Sequence, residues 1–278
     1  MLGVFSKQVA PFPELDKSLN LHTSESVSAM ENSLAKYYTN EYANSFMVDI
    51  QPWCMLAITV APTNSIIAKD RYDLGLWNFR FRRFQAKDDM FCILSGSIEN
   101  IDYLASKFHF NKDIDQPTMF IEAYKSQRRI NDGPETKLQK DQREFYWLNL
   151  VRAAKGKFTI ILFDNLKKTV FAATDRDAHL PFYWGIDVEG DLILTTNSDM
   201  AQLGCQRAYG SFPRGCYIST SDGLKTFDDQ NTELHVEEDV DSVGVSYLNI
   251  VMVVESPSSG SGQGSTESVN SSLRSLTH

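Results

Sequence analysis

An α+β fold of layered sheets and helices is predicted by three features of the sequence. Short apolar or β-branched runs far outnumber helical patterns. Several of these runs are joined by turn residues at hairpin spacing, as at Asp164-Asn165, at Asp187 to Asp191 around Gly190, and at Ser221-Asp222-Gly223. The helical patterns cluster instead of alternating with strands, which argues against a βαβ arrangement.

Taken in order, Met1–Phe5 reads as a strand. The stretch from Lys7 to Thr23 carries Pro11 and Pro13 and reads as a long loop. Ser24 to Tyr38 places Val27, Met30, Leu34 and Tyr38 at helical spacing. Strands are predicted over Cys54–Val60 and Met90–Ile98, and the alternating FRFRRFQ run, Phe79 to Gln85, has the pattern of a half-exposed strand. Two further helices follow. Gln116 to Arg129 has Met119, Phe120, Ala123 and Tyr124 on one face, and Lys137 to Ala154 has Phe145, Leu148 and Val151. Strands resume at Phe158–Asp164, Thr169–Thr174, Phe182–Ile186, Leu192–Thr196 and Cys216–Thr220. The acidic stretch Glu233 to Asp241 reads as a solvated loop. Ser256 to His278 is rich in Ser and Gly and has too little apolar surface to offset its ordering entropy. The predicted organisation is therefore one domain over residues 1–255 and a disordered tail over residues 256–278.

The 278 residues carry a net charge of −9. That balance disfavours nucleic acid as a partner, because phosphate backbones need basic surfaces. The four cysteines, Cys54, Cys92, Cys205 and Cys216, are scattered among apolar neighbours without a CxxC, the pattern of reduced structural thiols in a cytoplasmic protein. Nucleus and membrane periphery are the alternative locations. Leu2 to Phe5 is too short for a signal peptide, and no apolar run reaches the ~18 residues of a membrane span. His22, His109, His179, His235 and His278 are isolated, so no metal site is expected and no cofactor is implied.

One constellation is specific. MLGVFS opens the chain, followed by FCILSGSIEN (Phe91 to Asn100), GKFTIILFD (Gly156 to Asp164), TVFAATDRDAHLPFYWG (Thr169 to Gly185) and SFPRGCYIS (Ser211 to Ser219). This order resembles the glutaminase domain of class II glutamine amidotransferases. Those domains open Met-Cys-Gly-Ile-Phe and continue with an Asn-Gly turn, a Gly-x-Phe-Ala strand, an Asp-Arg-x-Gly-x-x-Pro-Leu-Tyr-Tyr segment and a Pro-Gly turn. The whole chain is also similar to the plant stem-specific and aluminium-induced proteins. The residues that carry this likeness are MFIEAYKSQRR (Met119 to Arg129), Tyr183-Trp184-Gly185 and SFPRGCY followed by Gly223-Leu224. It departs from that family's YGL and LRDR motifs, with Lys107-Phe108-His109-Phe110 and Ser126-Gln127-Arg128-Arg129 in their places. The resemblance implies an αββα sandwich of the N-terminal-nucleophile type.

Amidotransferase chemistry in that class starts from a cysteine thiolate next to a free α-amine. Here the position holds Leu2, whose isobutyl group cannot attack a carbonyl. The oxyanion-hole pair Asn-Gly becomes Ser95-Gly96, and losing one such donor typically costs ~2.7–4 kcal/mol of transition-state stabilisation. Leu2, Ser95 and Gly96 thus mark a vestigial site. The resemblance also implies an acid that holds the substrate's amino group, and the aligned stretch is Asp115-Gln116-Pro117. The resemblance further implies an arginine that grips the substrate carboxylate, since a guanidinium pairs bidentately with it, and of Arg80, Arg82 and Arg83 the candidates are Arg82 and Arg83. Against that, a Phe/Arg alternation is what an exposed strand face requires. Asp175 and Arg176 are expected to form a buried ion pair, Tyr183 and Trp184 to be core aromatics, and Cys92 and Cys216 to be buried hydrophobes.

The expected function is that of a catalytically inactive amidotransferase-like protein that binds an amino-acid-like ligand or a protein partner in a stress or growth response. The alternatives are an amide hydrolase using Ser6 or Ser95, and a structural module that forms a homodimer.

Overall fold

Side-chain alternation in the first strand already separates the layers. In β1 (Leu2–Phe5) Leu2 and Val4 enter a cluster with Leu34, Tyr38, Met55 and Ile193, whereas Phe5 enters a different one with Phe91, Ile161 and Phe163. The computed structural model describes residues 1–10, 34, 38, 40, 45–59, 68–71, 77–81, 83–131, 146–187, 189–205, 208–220, 223–227, 233–240 and 246–253.

The strands that follow are β2 (Ser45–Ile50), β3 (Cys54–Thr59), β4 (Ala68–Arg71), β5 (Trp77–Phe81), β6 (Phe84–Lys87) and β7 (Met90–Ile98). Three helices come next, α1 (Ile101–Lys107), α2 (Gln116–Asn131) and α3 (Tyr146–Ala153). The chain continues through β8 (Gly156–Asp164), β9 (Thr169–Thr174), β10 (Tyr183–Ile186), β11 (Leu192–Thr195) and α4 (Ser198–Gly204). Last come β12 (Ala208–Ser211), β13 (Cys216–Ser219), β14 (Gly223–Thr226), β15 (Glu233–Val240) and β16 (Ser246–Val253).

These strands form two sheets of eight. One runs β15-β16-β12-β10-β11-β1-β3-β2 and the other β14-β13-β9-β8-β7-β6-β5-β4. Pairing among the described strands is antiparallel except between β12 and β16, which run parallel at Tyr209 and Tyr247. The sheets bury one face against each other. Phe5, Leu56, Trp184 and Leu194 of the first meet Phe91, Ile161 and Phe163 of the second. The outer face of the second sheet, with Leu94, Phe158 and Ile160, is covered by Leu104 of α1, Met119 and Phe120 of α2, and Trp147 of α3. The outer face of the first is covered by Leu34 and Tyr38, both helical, and by Met200 of α4. The order is helices, sheet, sheet, helices, so the α+β sandwich is the αββα arrangement implied above. Each large apolar side chain moved into these layers contributes roughly 1.5–3 kcal/mol.

Some local expectations are corrected. Glu233–Val240 is a strand, paired with β16 along its whole length, because Leu234 and Val236 on alternate positions are buried between the sheets. Period two decides over acidic composition. Lys7 to Ala10 is a packed turn: the amides of Val9 and Ala10 donate to the Ser6 carbonyl, and both side chains are buried. The rest of the predicted loop, residues 11–23, lies outside the described residues, as do residues 254–278, most of the first predicted helix, and residues 137–145 of the third. All four cysteines are buried thiols outside any disulfide, as expected.

The Lys7 turn is anchored to the β10–β11 hairpin. The Lys7 amide donates to the Asp191 carboxylate at 2.8 Å, and Lys7 Nζ donates to the Glu189 carbonyl at 3.0 Å. Burial raises the Asp191 carboxyl from 3.8 to about 6 against the Lys7 hydrogen bond, with the neighbouring Asp187 charge adding to the rise. The folded chain therefore holds a proton that the unfolded chain releases, so this group's stabilisation is complete below the unfolded value and lost as pH rises through the folded one. Asp191→Asn keeps an acceptor for the Lys7 amide and removes the charge. Urea unfolding is expected to show this variant gaining on the order of 2 kcal/mol over wild type on going from about pH 4 to about pH 7.

Candidate functional site

Met1 stands at one end of the sandwich. Its α-amine donates to Thr196 Oγ1 at 3.0 Å, and its carbonyl accepts from Thr195 Oγ1 and the Thr196 amide at 3.1 Å each. Burial, with the Arg83 charge adding to it, lowers the amine from 8.0 to about 5. Leu2 is 0% exposed. Its side chain lies in the outer layer among Leu34, Met55, Ile193 and Met200, on the side of β1 facing away from the second sheet.

Gly3 fixes how β1 lies on the second sheet. A Cβ there would be 2.8 Å from Phe5 Cε2 and 3.3 Å from Ile161 Cδ1, so Gly3 faces Ile161. Phe5 and Phe163 pack with tilted rings two residues further along, with centroids 5.8 Å apart. The two-residue period shared by β1 and β8 then sets Met1 over Thr159.

Thr159 belongs to a cross-strand row. The registers align Ser95 with Thr159 and Thr159 with Thr174, on the face that Ile93, Ile161 and Ala172 share with the inter-sheet core. The inner face thus changes from apolar to hydroxyl-bearing at the end where Met1 sits. Thr174 Oγ1 donates to the Asp175 carbonyl at 2.7 Å. Thr159 is 0% exposed, yet its Oγ1 has no hydrogen-bond partner. An unmade hydrogen bond of this kind costs about 1–3 kcal/mol.

Gly96 follows Ser95 with φ +85°, and a side chain there would overlap the Lys157 carbonyl oxygen and come within 2.6 Å of Leu180 Cδ1. Arg83, exposed in the turn between β5 and β6, accepts the Leu94 amide on its carbonyl at 2.8 Å and so sits next to the Ser95–Gly96 segment. Arg82 lies outside the described residues.

The loop between β9 and β10 carries Asp175, which is 4% exposed. Its carboxylate accepts the amides of Phe158, Asp177 and His179 and the His179 Nδ1, the last at 2.7 Å. The partner shown for Asp175 is therefore His179. Arg176 is exposed, so the expected buried Asp175–Arg176 pair is replaced by a carboxylate that organises its own turn. Ala178 in that turn has φ +50°, at the residue where the amidotransferase motif has glycine.

Other candidates are placed elsewhere. Asp115 caps α2, accepting the amide and hydroxyl of Thr118 at 3.1 and 2.7 Å. Its charge helps burial push the Cys92 thiol well up, which places it against the outer face of the second sheet. Burial likewise lifts Cys216 to about 11, so neither cysteine supplies a thiolate. Ser6 is at the far end of β1, where its Oγ accepts the Gln8 amide at 3.3 Å. Trp184 is a core aromatic against Phe212, while Tyr183 is half-buried. Among the described residues no group of three or more His, Cys, Asp or Glu could hold a metal ion. No described helix is long and apolar enough to cross a membrane.

The sequence profile of the aluminium-induced proteins matches residues 2–250. The chain belongs to the aluminium-induced protein family. One curated relative is the stem-specific protein TSJT1 of Nicotiana tabacum, 28% identical over 92 residues, which are 33% of this chain and 54% of the tobacco protein. The chain thus spans about half the length of that relative. Among solved structures, it is similar to a glutamine phosphoribosylpyrophosphate amidotransferase from B. subtilis, at 15% identity and TM-score 0.37, covering 63% of this chain and 35% of the other. It is also similar to an allosteric regulatory enzyme of purine biosynthesis, at 15% identity and TM-score 0.35, covering 52% and 30%. In this member of the aluminium-induced family, Ser95, Gly96, Arg83 and Met1 come together at one end of the sandwich, whereas the Leu2 side chain is directed into the opposite layer.

Proposed function

We infer that this chain is a non-catalytic relative of the class II glutamine amidotransferases that binds an amino-acid-like ligand, acting as a regulatory protein in a stress or growth response. The observation that carries this reading is the burial of Leu2. A fully buried aliphatic side chain facing the outer layer is a packing element, and it offers no nucleophile to the polar end of the sandwich. The ligand-binding part rests on what stands at that end: the exposed Arg83 as a carboxylate partner, the half-buried Ser95 hydroxyl and the Gly96 backbone. The same reading takes residues 1–255 as the amidotransferase-like domain and residues 256–278 as a tail.

Calorimetric titration of the full chain with L-glutamine tests it. Saturable binding is expected, and Arg83→Ala is expected to weaken it about tenfold or more, the scale of a charge-assisted hydrogen bond. Absence of binding in the wild-type chain would remove the ligand from the account.

A further inference from the structure

We propose that His179 is a specificity residue for the ligand of this site, accepting a hydrogen bond from a primary amide at the end opposite the carboxylate held by Arg83. The inference rests on the binding role argued above and goes beyond it by naming the group that is read.

Three observations carry it. First, the His179 ring is oriented. Nδ1 is 2.7 Å from Asp175 Oδ1, and an ionised carboxylate only accepts, so Nδ1 carries the proton. In the neutral ring Nε2 is then a bare acceptor. Asp175 cannot easily turn away, because the amides of Phe158, Asp177 and His179 also hold it. Second, the ring is accessible: the His179 side chain is 42% exposed, whereas that of Asp175 is 5%. A buried carboxylate behind an exposed imidazole resembles the arrangement that fixes the imidazole tautomer in catalytic and metal-binding sites.

Third, the loop lies against the site. Leu180, the next residue, packs on Gly96 closely enough that a Cβ there would be 2.6 Å from Leu180 Cδ1. On the other side of β7, Arg83 is bonded through its carbonyl to Leu94, two residues before Gly96. Two residues of strand rise plus one or two strand spacings separate these flanks, on the order of 10 Å, which extended arginine and histidine side chains narrow to the length of a small amino acid. A guanidinium on one flank suits a carboxylate, and a bare imidazole nitrogen on the other suits an N–H donor. The buried Thr159 hydroxyl between the sheets adds a polar group without a partner at the same end.

L-glutamine and L-glutamate are suitable probes, since they differ only in the terminal group, amide against carboxylate. Titration of the full chain at about pH 8 is expected to show glutamine binding more tightly than glutamate. His179→Ala is expected to weaken glutamine about three- to tenfold and to leave glutamate unchanged, collapsing the preference. The substituted side chain is exposed, and an unchanged melting temperature verifies that the variant is folded. If glutamine binds wild type and His179→Ala equally, or if both ligands weaken together, the assignment of His179 fails while the binding role stands. If neither ligand binds the wild-type chain, both fail.

Discussion

Alanine at position 96 is expected to lower stability by about 2–4 kcal/mol, the sum of a left-handed backbone penalty and overpacking. Gly96 has φ +85°, and its Cα hydrogens occupy the space between the Lys157 carbonyl oxygen and Leu180. A methyl group meets backbone on one side and a side chain on the other, so only one neighbour can yield. Relief of the clash would push Leu180 outward and take the His179 loop with it. Chemical denaturation measures the loss, and the ligand titrations described above are expected to weaken together with it. A Gly96→Ala chain as stable as wild type would mean that β7 is not held at this position by the close approach of β8.

Leu2 gives the second large effect. Leu2→Ala leaves a cavity lined by Leu34, Met55, Ile193 and Met200 and is expected to cost about 2–5 kcal/mol. A protein whose net stability is of the usual 5–15 kcal/mol would register this plainly. Leu2→Cys is the more informative substitution, because it supplies the thiol whose absence at this position the proposed function rests on. It is expected to lose a smaller part of the packing energy and to gain no glutaminase turnover. The thiol would face the outer layer, on the opposite side of β1 from the Ser95–Thr159–Thr174 row. Thiol burial also raises its pKa, which disfavours the thiolate.

Much of the fold could be read from the sequence where a local signal agreed with the tertiary environment. Met90–Ile98 and Thr169–Thr174 are strands over the residues expected, since short apolar stretches such as residues 90–94 and 170–173 suit strands buried on both faces. The α1 and α4 helices leave no readable pattern in the sequence, because each spans seven residues, too few for an apolar period to repeat. β6 was absorbed into the Phe/Arg alternation, and the acidic residues of β15 masked Leu234 and Val236.

At the candidate site, the order of the motifs brings Ser95 and Gly96 to attention, but it does not reveal that the Leu2 side chain lies in the outer layer. Thr159 was not legible: a threonine within an apolar run is an ordinary strand former, and only its register between Ser95 and Thr174 gives it a place at the polar end. His179 read as an isolated loop histidine, because its partner is four residues away in a turn, where no sequence period brings side chains together. Alternation in β1 was legible as a strand pattern, but which of its faces met the second sheet depended on Gly3 lying over Ile161.

Ammonia release from L-glutamine is the measurement closest to the central claim, that position 2 packs the fold and performs no chemistry. The full chain and a variant lacking Cys54, Cys92, Cys205 and Cys216 should both release none above the uncatalysed rate, even where glutamine is bound. Turnover in the full chain that survives removal of those cysteines would contradict the account.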